Sequence, residues 1–210
     1  MENLAKIIKN QKILLVHFST DYVYDGKKKS LYIETDETYP ISKYGISKLN
    51  GEKIIINNLI NFLIFRISWL YSIYNNNFLK KFINIANNND EINVINNNFG
   101  RPTNSEFFAN FIWIAIEKTL NNKSLCGIYN YSDSGIITNW FEIVSHIYNF
   151  LQNKGKKVPK LRQISYQKFN LIALRPENSS LNIEKLKLNF KYQTNDWKIN
   201  LNKTLRELIR

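Results

Sequence analysis

The chain has 210 residues, of which 44% are hydrophobic and 22% charged, with a formal net charge of +12 at pH 7. A chain of this length can bury a substantial core as one domain, or as one domain with a small added lobe. Its single cysteine, Cys126, excludes a disulfide or a multi-cysteine metal site within these residues, so a reducing compartment is expected.

The sequence shows no targeting or membrane signal. The first ten residues place apolar side chains at helical spacing and lack the uninterrupted apolar core of a signal peptide. No segment approaches the ~18 consecutive apolar residues that a membrane-spanning helix requires. We therefore expect a soluble, cytoplasmic protein that binds no membrane.

The excess positive charge raises the question of nucleic-acid binding, because clustered Lys and Arg side chains neutralise phosphates. The only tight basic runs are at 27–29 and 154–157, and both fall in predicted loops. Asn, Lys and Ile share A- and T-rich codons and are abundant throughout, so base composition explains the charge without a polyanionic partner. We expect no nucleic-acid binding.

The predicted elements alternate between helix and strand from the start. After helical spacing over residues 1–9, an apolar run at 13–18 predicts a strand buried on both faces of a parallel sheet. A loop rich in turn formers spans 25–40, and a helix over 42–58 leads to a second strand at 61–66. Two strands joined by a helix form a βαβ unit.

The alternation continues to the carboxyl end. The predicted order is a helix over 78–86, a strand over 92–95, a chain break at 100–103, a helix over 105–120 and a strand over 127–130. Then come a helix capped by Thr138, an edge strand over 161–164 and an amphipathic helix over 197–208. This order predicts an α/β fold with a parallel sheet.

Side chains suited to acid–base chemistry lie on the first long helix. Tyr44 and Lys48 are four residues apart, so they share one helix face. A lysine ammonium stabilises a nearby phenolate and so makes tyrosine a usable proton donor. The pair alone has an alternative interpretation, a surface tyrosine stacked on a lysine stem.

The residues upstream favour the chemical interpretation. Ser19, Thr20 and Asp21 follow the first strand, at the edge where open α/β sheets bind ligands. A hydroxyl placed there can hydrogen-bond the same carbonyl oxygen that the tyrosine protonates. Thr20 and Asp21 could instead cap a turn.

These residues belong to a longer series of motifs. The segments 19–26 (STDYVYDG), 34–36 (ETD) and 44–52 (YGISKLNGE) resemble the extended short-chain dehydrogenases/reductases. The segments 66–71, 76–78, 99–103 and 175–181 are similar, in order and spacing, to the dTDP-4-dehydrorhamnose reductase family. The resemblance covers nearly the whole chain.

The resemblance implies a Rossmann-like parallel sheet, truncated at its amino-terminal side, with a smaller carboxyl-terminal substrate-binding lobe. Residues 1–98 would form the carboxyl-terminal part of an NAD(P)-binding domain. Residues 99–210 would form mainly the lobe, with elements interleaved back onto the sheet.

The implied reaction is the NADPH- or NADH-dependent reduction of the C4 keto group of dTDP-4-dehydro-L-rhamnose to dTDP-L-rhamnose, a step of cell-surface polysaccharide biosynthesis. Tyr44 would protonate the sugar oxygen, and Thr20 would hydrogen-bond it. Lys48 would make the phenol more acidic and, with Tyr44, hold the nicotinamide ribose.

The same resemblance implies a set of binding residues. Thr20, Asp21 and Trp69 would contact the dTDP-sugar, while Tyr22 would tune the acidity of the site. Trp69 could instead be a plain core residue. Arg101 and Pro102 would lie where the family wraps the nucleotide end of its substrate, although Arg101 replaces a small residue common there. Further candidates are Asn98, Arg175 and Ser180, which stands where an arginine is usual.

One expected feature is missing. Members of this family begin with a glycine-rich turn that receives the cofactor pyrophosphate, and no two glycines of this chain have the G-x-G spacing. Residues 1–9 resemble the helix before the family's fourth strand. The first βα units would then be absent, leaving a strand edge exposed, and the chain would be a fragment or would need a complementing amino-terminal chain. A homodimer is a further expectation.

Two other functions remain open. The same fold occurs in a regulatory subunit of methionine adenosyltransferase, which would make the chain a binding module. A related sugar-nucleotide epimerase or dehydratase would share the tyrosine and lysine. Mg²⁺ is used by some relatives, but no acidic cluster supports it, and no metal ligand is predicted.

Overall fold

The computed structural model describes residues 1–168 and 174–209. In chain order its helices are α1 (Glu2–Ile8), α2 (Lys43–Asn58), α3 (Phe78–Ala86), α4 (Ser105–Asn121), α5 (Trp140–Asn153), α6 (Glu184–Phe190) and α7 (Trp197–Leu208). Its strands are β1 (Leu15–Thr20), β2 (Phe62–Ile67), β3 (Leu70–Tyr71), β4 (Glu91–Ile95), β5 (Phe99–Gly100), β6 (Thr103–Asn104), β7 (Gly127–Tyr131), β8 (Thr138–Asn139) and β9 (Lys160–Ile164).

The central sheet is parallel and has the order β1-β2-β7. Helix α2 connects β1 to β2 and packs on β1, so the predicted βαβ unit is confirmed. Strand β7 joins this sheet although it comes late in the chain. The boundary between residues 98 and 99 stays a prediction.

Strand β1 lies at the edge of the sheet. Within the described residues it pairs only with β2, and its other edge has no strand partner. The prediction of a strand buried on both faces is wrong for β1, since its first four residues are only partly buried and Phe18 is 48% exposed. Edge position explains this exposure, because only one neighbour shields the strand.

Strand β2 divides two cores. Leu63 and Phe65 pack with residues of β7, α4 and α6 on one face, whereas Ile64 packs with Ile8 of α1 and Ile55 of α2 on the other. Each of these apolar β2 side chains is fully buried. Burial of such a side chain stabilises a fold by roughly 1.5–3 kcal/mol, so this alternation fixes which helices cover each face.

A further core builds the second lobe. It joins α3, α5, α7 and β4 through Leu79, Ile147, Trp197 and Val94. Strand β4 pairs in parallel with β9, so the predicted strand near 161–164 is confirmed. Among the helices of residues 1–168 and 174–209, none has the length and apolar character needed to cross a membrane.

The amino-terminal cap of α5 differs from the prediction. Asn139, not Thr138, is the capping residue, and its side chain accepts a hydrogen bond from the Glu142 backbone N–H at 2.9 Å. Thr138 belongs to β8 and donates to Glu142 Oε2 at 2.8 Å. Both side chains form hydrogen bonds with Glu142 in the first turn of α5. Because Asn139 is one residue closer to the helix, its side-chain oxygen accepts the backbone N–H.

Asp133 is fully buried just after β7, where it accepts a hydrogen bond from the backbone N–H of Asn104 at 3.2 Å. Burial raises its pKa to about 7, with the nearby Asn200 amide and the Asn104 backbone N–H opposing the rise. Since the folded state then binds a proton that the unfolded chain releases near pH 4, stability falls as pH rises towards 7.

We therefore expect Asp133→Asn to flatten this pH dependence. Urea unfolding of the unchanged chain should lose stability between pH 5 and 7.5, and the variant should remove on the order of 1–2 kcal/mol of that loss. Asp21, treated below, contributes to the remainder, whereas His17, whose pKa burial lowers, acts in the opposite direction. Asp90→Asn, at a solvent-exposed carboxylate, is the matched control. An equal pH slope in all three proteins would contradict the assignment to Asp133.

Candidate active site

The candidate catalytic residues lie where β1 ends and α2 begins. Thr20 is the last residue of β1, while Tyr44 and Lys48 lie in the first turns of α2. The Lys48 ammonium donates a hydrogen bond at 2.5 Å to the carbonyl oxygen of Phe18, which lies two residues before Thr20 in β1. This bond holds the lysine side chain near the end of the strand. The Tyr44 ring is 56% exposed and so open to a ligand.

Helix α2 approaches the end of β1 closely because residue 45 is glycine. A Cβ atom at Gly45 would lie 2.2 Å from the Tyr22 carbonyl oxygen, which no side chain could tolerate. Ser42 caps the helix by accepting the Gly45 backbone N–H at 3.1 Å. The Tyr44 ring consequently meets the Tyr22 ring edge-on, with centroids 5.9 Å apart.

Thr20 makes the turn contacts that the sequence left open as an alternative. Its hydroxyl donates to Asp21 Oδ1 at 2.9 Å and accepts the Tyr22 backbone N–H at 3.2 Å, at the start of a short 3-10 turn. A hydroxyl rotates freely and can exchange its acceptor, so these contacts leave a catalytic role open. That role rests on the position of Thr20 beside α2.

Two neighbouring groups have shifted acidities. Burial raises the pKa of Asp21 to about 7, against the opposing effect of the Thr20 and Ser179 hydroxyls. Burial, with the Asp21 charge added, raises the pKa of Tyr22 to about 12, while Arg175 acts in the opposite direction. Tyr22 therefore stays a neutral phenol at pH 7, and Asp21 changes charge near pH 7.

Trp69 is partly built into the second lobe. Its ring stacks on Trp140 with centroids 4.5 Å apart, and its backbone has the left-handed φ of 44°. Gly100 makes room for it, since a Cβ there would lie 2.8 Å from the indole. Trp140 is a residue that the sequence interpretation missed. Its only signal was an aromatic residue at a helix start, which does not reveal a partner 71 positions earlier.

A cavity of about 330 Å³ lies beside this stack. Its wall includes three aromatic rings, those of Trp140, Phe78 and Phe82, and two cationic side chains, those of Lys81 and Arg175. Asn98 also lines it and donates a hydrogen bond to the Pro176 carbonyl oxygen at 2.8 Å. Of the five further candidates, the structure thus brings Asn98 and Arg175 together at one cavity.

The remaining candidates lie elsewhere. Arg101 is buried, and its guanidinium donates to the carbonyl oxygens of Leu181 and Gly135. Pro102 and Ser180 are buried as well, and none of these three lines the cavity. Within residues 1–168 and 174–209, no group of three or more His, Cys, Asp or Glu side chains is arranged to hold a metal ion.

Trp69→Ala is expected to weaken both ligand binding and folding, because the ring contacts the cavity wall through Trp140 and also packs on the core. An aromatic pair contributes about 0.5–1.5 kcal/mol beyond its burial. Thermal unfolding and dTDP titration of this variant, with Trp69→Phe as the matched control, measure the two effects. Lower stability with unchanged dTDP affinity would assign Trp69 to the core alone.

Comparison with known proteins places this site in context. A family model described as the RmlD substrate binding domain matches residues 1–210. The dTDP-4-dehydrorhamnose reductase of Escherichia coli (strain K12) is 35% identical, over 100% of this chain and 70% of that protein.

Solved structures agree with this result. A dTDP-4-dehydrorhamnose reductase from Clostridium acetobutylicum superposes with a TM-score of 0.89 at 31% identity, covering 100% of this chain and 71% of the other. The Bacillus anthracis reductase in complex with NADP has a TM-score of 0.86 at 32% identity, covering 98% and 70%.

Proposed function

Because the chain belongs to the dTDP-4-dehydrorhamnose reductase family, we propose that it carries the proton-donating and sugar-binding groups of an NAD(P)H-dependent oxidoreductase. The reaction is the reduction of the C4 keto group of dTDP-4-dehydro-L-rhamnose, which yields dTDP-L-rhamnose. The observation that supports it most directly is that Thr20, Tyr44 and Lys48 all lie near the carboxyl end of strand β1.

The proposed proton transfer follows from the positions of these groups. The exposed Tyr44 hydroxyl gives its proton to the C4 oxygen, and Thr20 stabilises the charge that develops on that oxygen by a hydrogen bond. The Lys48 ammonium favours the phenolate that remains. The bound nicotinamide supplies the hydride that reduces C4.

The residues present fit the nicotinamide end of the cofactor. An ammonium has three donors, and Lys48 uses one of them on the Phe18 carbonyl oxygen, so two remain for ribose hydroxyls. Tyr44 lies one turn away on the same helix face. We assign both residues to this end of the cofactor, whether NADPH or NADH.

The nucleotide end of the sugar substrate fits the 330 Å³ cavity. Aromatic rings such as that of Trp140 suit a stacked pyrimidine base, while Lys81 and Arg175 suit the two phosphates. Trp69, stacked on Trp140, would then support the aromatic wall on which the base packs.

The cofactor pyrophosphate needs a further element. Residues 1–210 hold no G-x-G turn, so we propose that a glycine-rich segment outside them binds the pyrophosphate. Such a segment can add a parallel strand to the free edge of β1. A longer chain or a separate polypeptide can supply it.

The direct test is reduction by residues 1–210 fused to the glycine-rich βαβ segment of a related reductase. Oxidation of NADPH at 340 nm should depend on dTDP-4-dehydro-L-rhamnose, and chromatography should detect dTDP-L-rhamnose. UDP-4-keto sugars serve as the control substrates. A soluble fusion that binds both NADPH and dTDP but forms no product would overturn the proposal.

A further inference from the structure

A buried ion pair lies directly beneath the candidate active site. Glu52 is fully buried on α2, and its carboxylate accepts hydrogen bonds from Arg66 Nε at 3.1 Å and from Arg66 Nη2 at 2.7 Å. It also accepts a hydrogen bond from the Ser19 hydroxyl. One carboxylate therefore joins α2, β1 and β2.

The guanidinium of Arg66 is held on its other side as well. Its Nη1 donates to the Tyr24 hydroxyl at 2.8 Å and to the Glu34 carbonyl oxygen at 3.2 Å. Tyr24 in turn donates to the Ile33 carbonyl oxygen at 2.9 Å. The pair is thus locked into the loop between β1 and α2, and neither charged group can move alone.

Stability alone is a weak reason for such a pair. Removing two charges from water is costly, and apolar residues of similar volume often support a fold equally well. Charged, bidentate hydrogen bonds also fix geometry, because they hold the two partners at one distance and angle.

This fixed geometry matters because α2 carries two of the candidate catalytic residues. Tyr44, Lys48 and Glu52 follow one another at four-residue intervals and so share one face of the helix. On the facing strand, Phe18 receives Lys48, Ser19 binds Glu52 and Thr20 comes next. Two consecutive strand residues therefore hold the helix, and the third reaches the site.

We propose that the Glu52–Arg66 pair, with Ser19, acts as a positioning device that sets the distance between Thr20 on β1 and the Tyr44–Lys48 pair on α2. This inference rests on the proposed reductase function. All three side chains are buried, so we expect their removal to lower turnover and to leave substrate binding nearly unchanged. A displacement of about 1 Å in such a site lowers rates by up to ~100-fold.

Three variants of the fused reductase test the proposal. Ser19→Ala removes one hydrogen bond and leaves the ion pair, whereas Glu52→Gln removes the charge and keeps the shape. The double variant Glu52→Leu with Arg66→Met removes the pair and keeps the volume apolar. Thr204→Ala, in α7, is the matched control, since it removes buried hydrogen bonds with the Asn104 amide of β6 and the Asn200 carbonyl oxygen.

The expected results separate positioning from folding. Turnover should fall by about 10-fold or more in Glu52→Gln and in the double variant, and about 3-fold in Ser19→Ala, with KM within about twofold. Thr204→Ala should lower the Tm without lowering turnover. A double variant with unchanged Tm and unchanged turnover would overturn the proposal, and so would turnover losses that merely follow Tm across all four variants.

A second readout does not depend on activity. NMR of tyrosine-labelled protein should detect the contact between the Tyr22 and Tyr44 rings, which reports the position of α2 over the end of β1. We expect this contact to weaken in Glu52→Gln and to persist in Thr204→Ala. If the fused protein forms no product, the proposed function fails, and this contact alone decides the inference: an unchanged contact in Glu52→Gln overturns it.

Discussion

Turnover by the fused reductase is expected to fall by a factor of about 100 or more in Tyr44→Phe, with sugar-nucleotide affinity nearly unchanged. The substitution removes only the hydroxyl that gives its proton to the C4 oxygen. The ring remains and keeps its edge-on contact with Tyr22 at 5.9 Å, so α2 stays in place. Steady-state turnover and dTDP titration together measure the two effects.

The matched control for this variant is Tyr74→Phe. Tyr74 is 70% exposed in the loop before α3 and takes no part in the candidate site. Its substitution should leave turnover within about twofold of that of the unchanged protein. Only a larger change in Tyr44→Phe is then assigned to the lost hydroxyl. If Tyr44→Phe behaves like Tyr74→Phe, the proton comes from another donor and the proposed role of Tyr44 is wrong.

Residues 1–210 alone are expected to bind NADPH with a Kd of about 1 mM or weaker, because they provide Tyr44 and Lys48 for one end of the cofactor and no glycine-rich turn for the other. Addition of a glycine-rich βαβ segment, fused or as a separate chain, should tighten the Kd to the order of 10 μM or below. Fluorescence titration with NADPH measures both values.

The same chain is expected to self-associate. The unpaired edge of β1 and the half-exposed Phe18 ring offer backbone and apolar groups to a neighbour. Size-exclusion chromatography should show aggregates that Phe18→Lys reduces, with Ile60→Lys, at an exposed residue outside β1, as the control. A monodisperse monomer that binds NADPH at micromolar Kd would contradict the account of both the edge and the cofactor.

Amphipathic helices were the elements most accessible from sequence. The bounds predicted for α3 and α7, 78–86 and 197–208, are those observed, because each helix buries one apolar face and has a polar cap residue, Asn77 or Asp196. Helix α6 escaped prediction. It has seven residues and no side-chain cap, as does α1, which was predicted, so length and capping alone do not explain the difference between the two.

The first and last residues of the strands were harder to predict from sequence, because the neighbouring strand determines where pairing begins and ends. The apolar run begins at Ile13, but β1 begins at Leu15, which is where β2 provides Phe62 as its first partner. Likewise, the exposure of Phe18 depends on the edge position of β1. The absent glycine-rich units predicted an exposed strand edge, but the local apolar run gave no sign of it.

The candidate site likewise contains residues that could be predicted from sequence and residues that could not. Thr20, Tyr44 and Lys48 were accessible because they are close in sequence and have a recognisable spacing, although their catalytic roles remain proposals. Trp140 was not, because its stack with Trp69 depends on how the second lobe folds back. Arg101 was considered for the nucleotide, yet the structure uses its guanidinium to bind backbone carbonyl oxygens.

The attachment of α2 to two consecutive residues of β1, Phe18 and Ser19, makes the acid–base groups portable. The strand end, the loop and the helix form one uninterrupted stretch, residues 18–52. Of the side chains in the ion-pair network Arg66 lies outside it, and Asn130 of β7 bonds the loop as well. A protein engineer could transplant this stretch into another doubly wound scaffold as a cassette. The host would need an arginine on the adjacent strand, directly opposite the position that Ser19 occupies here.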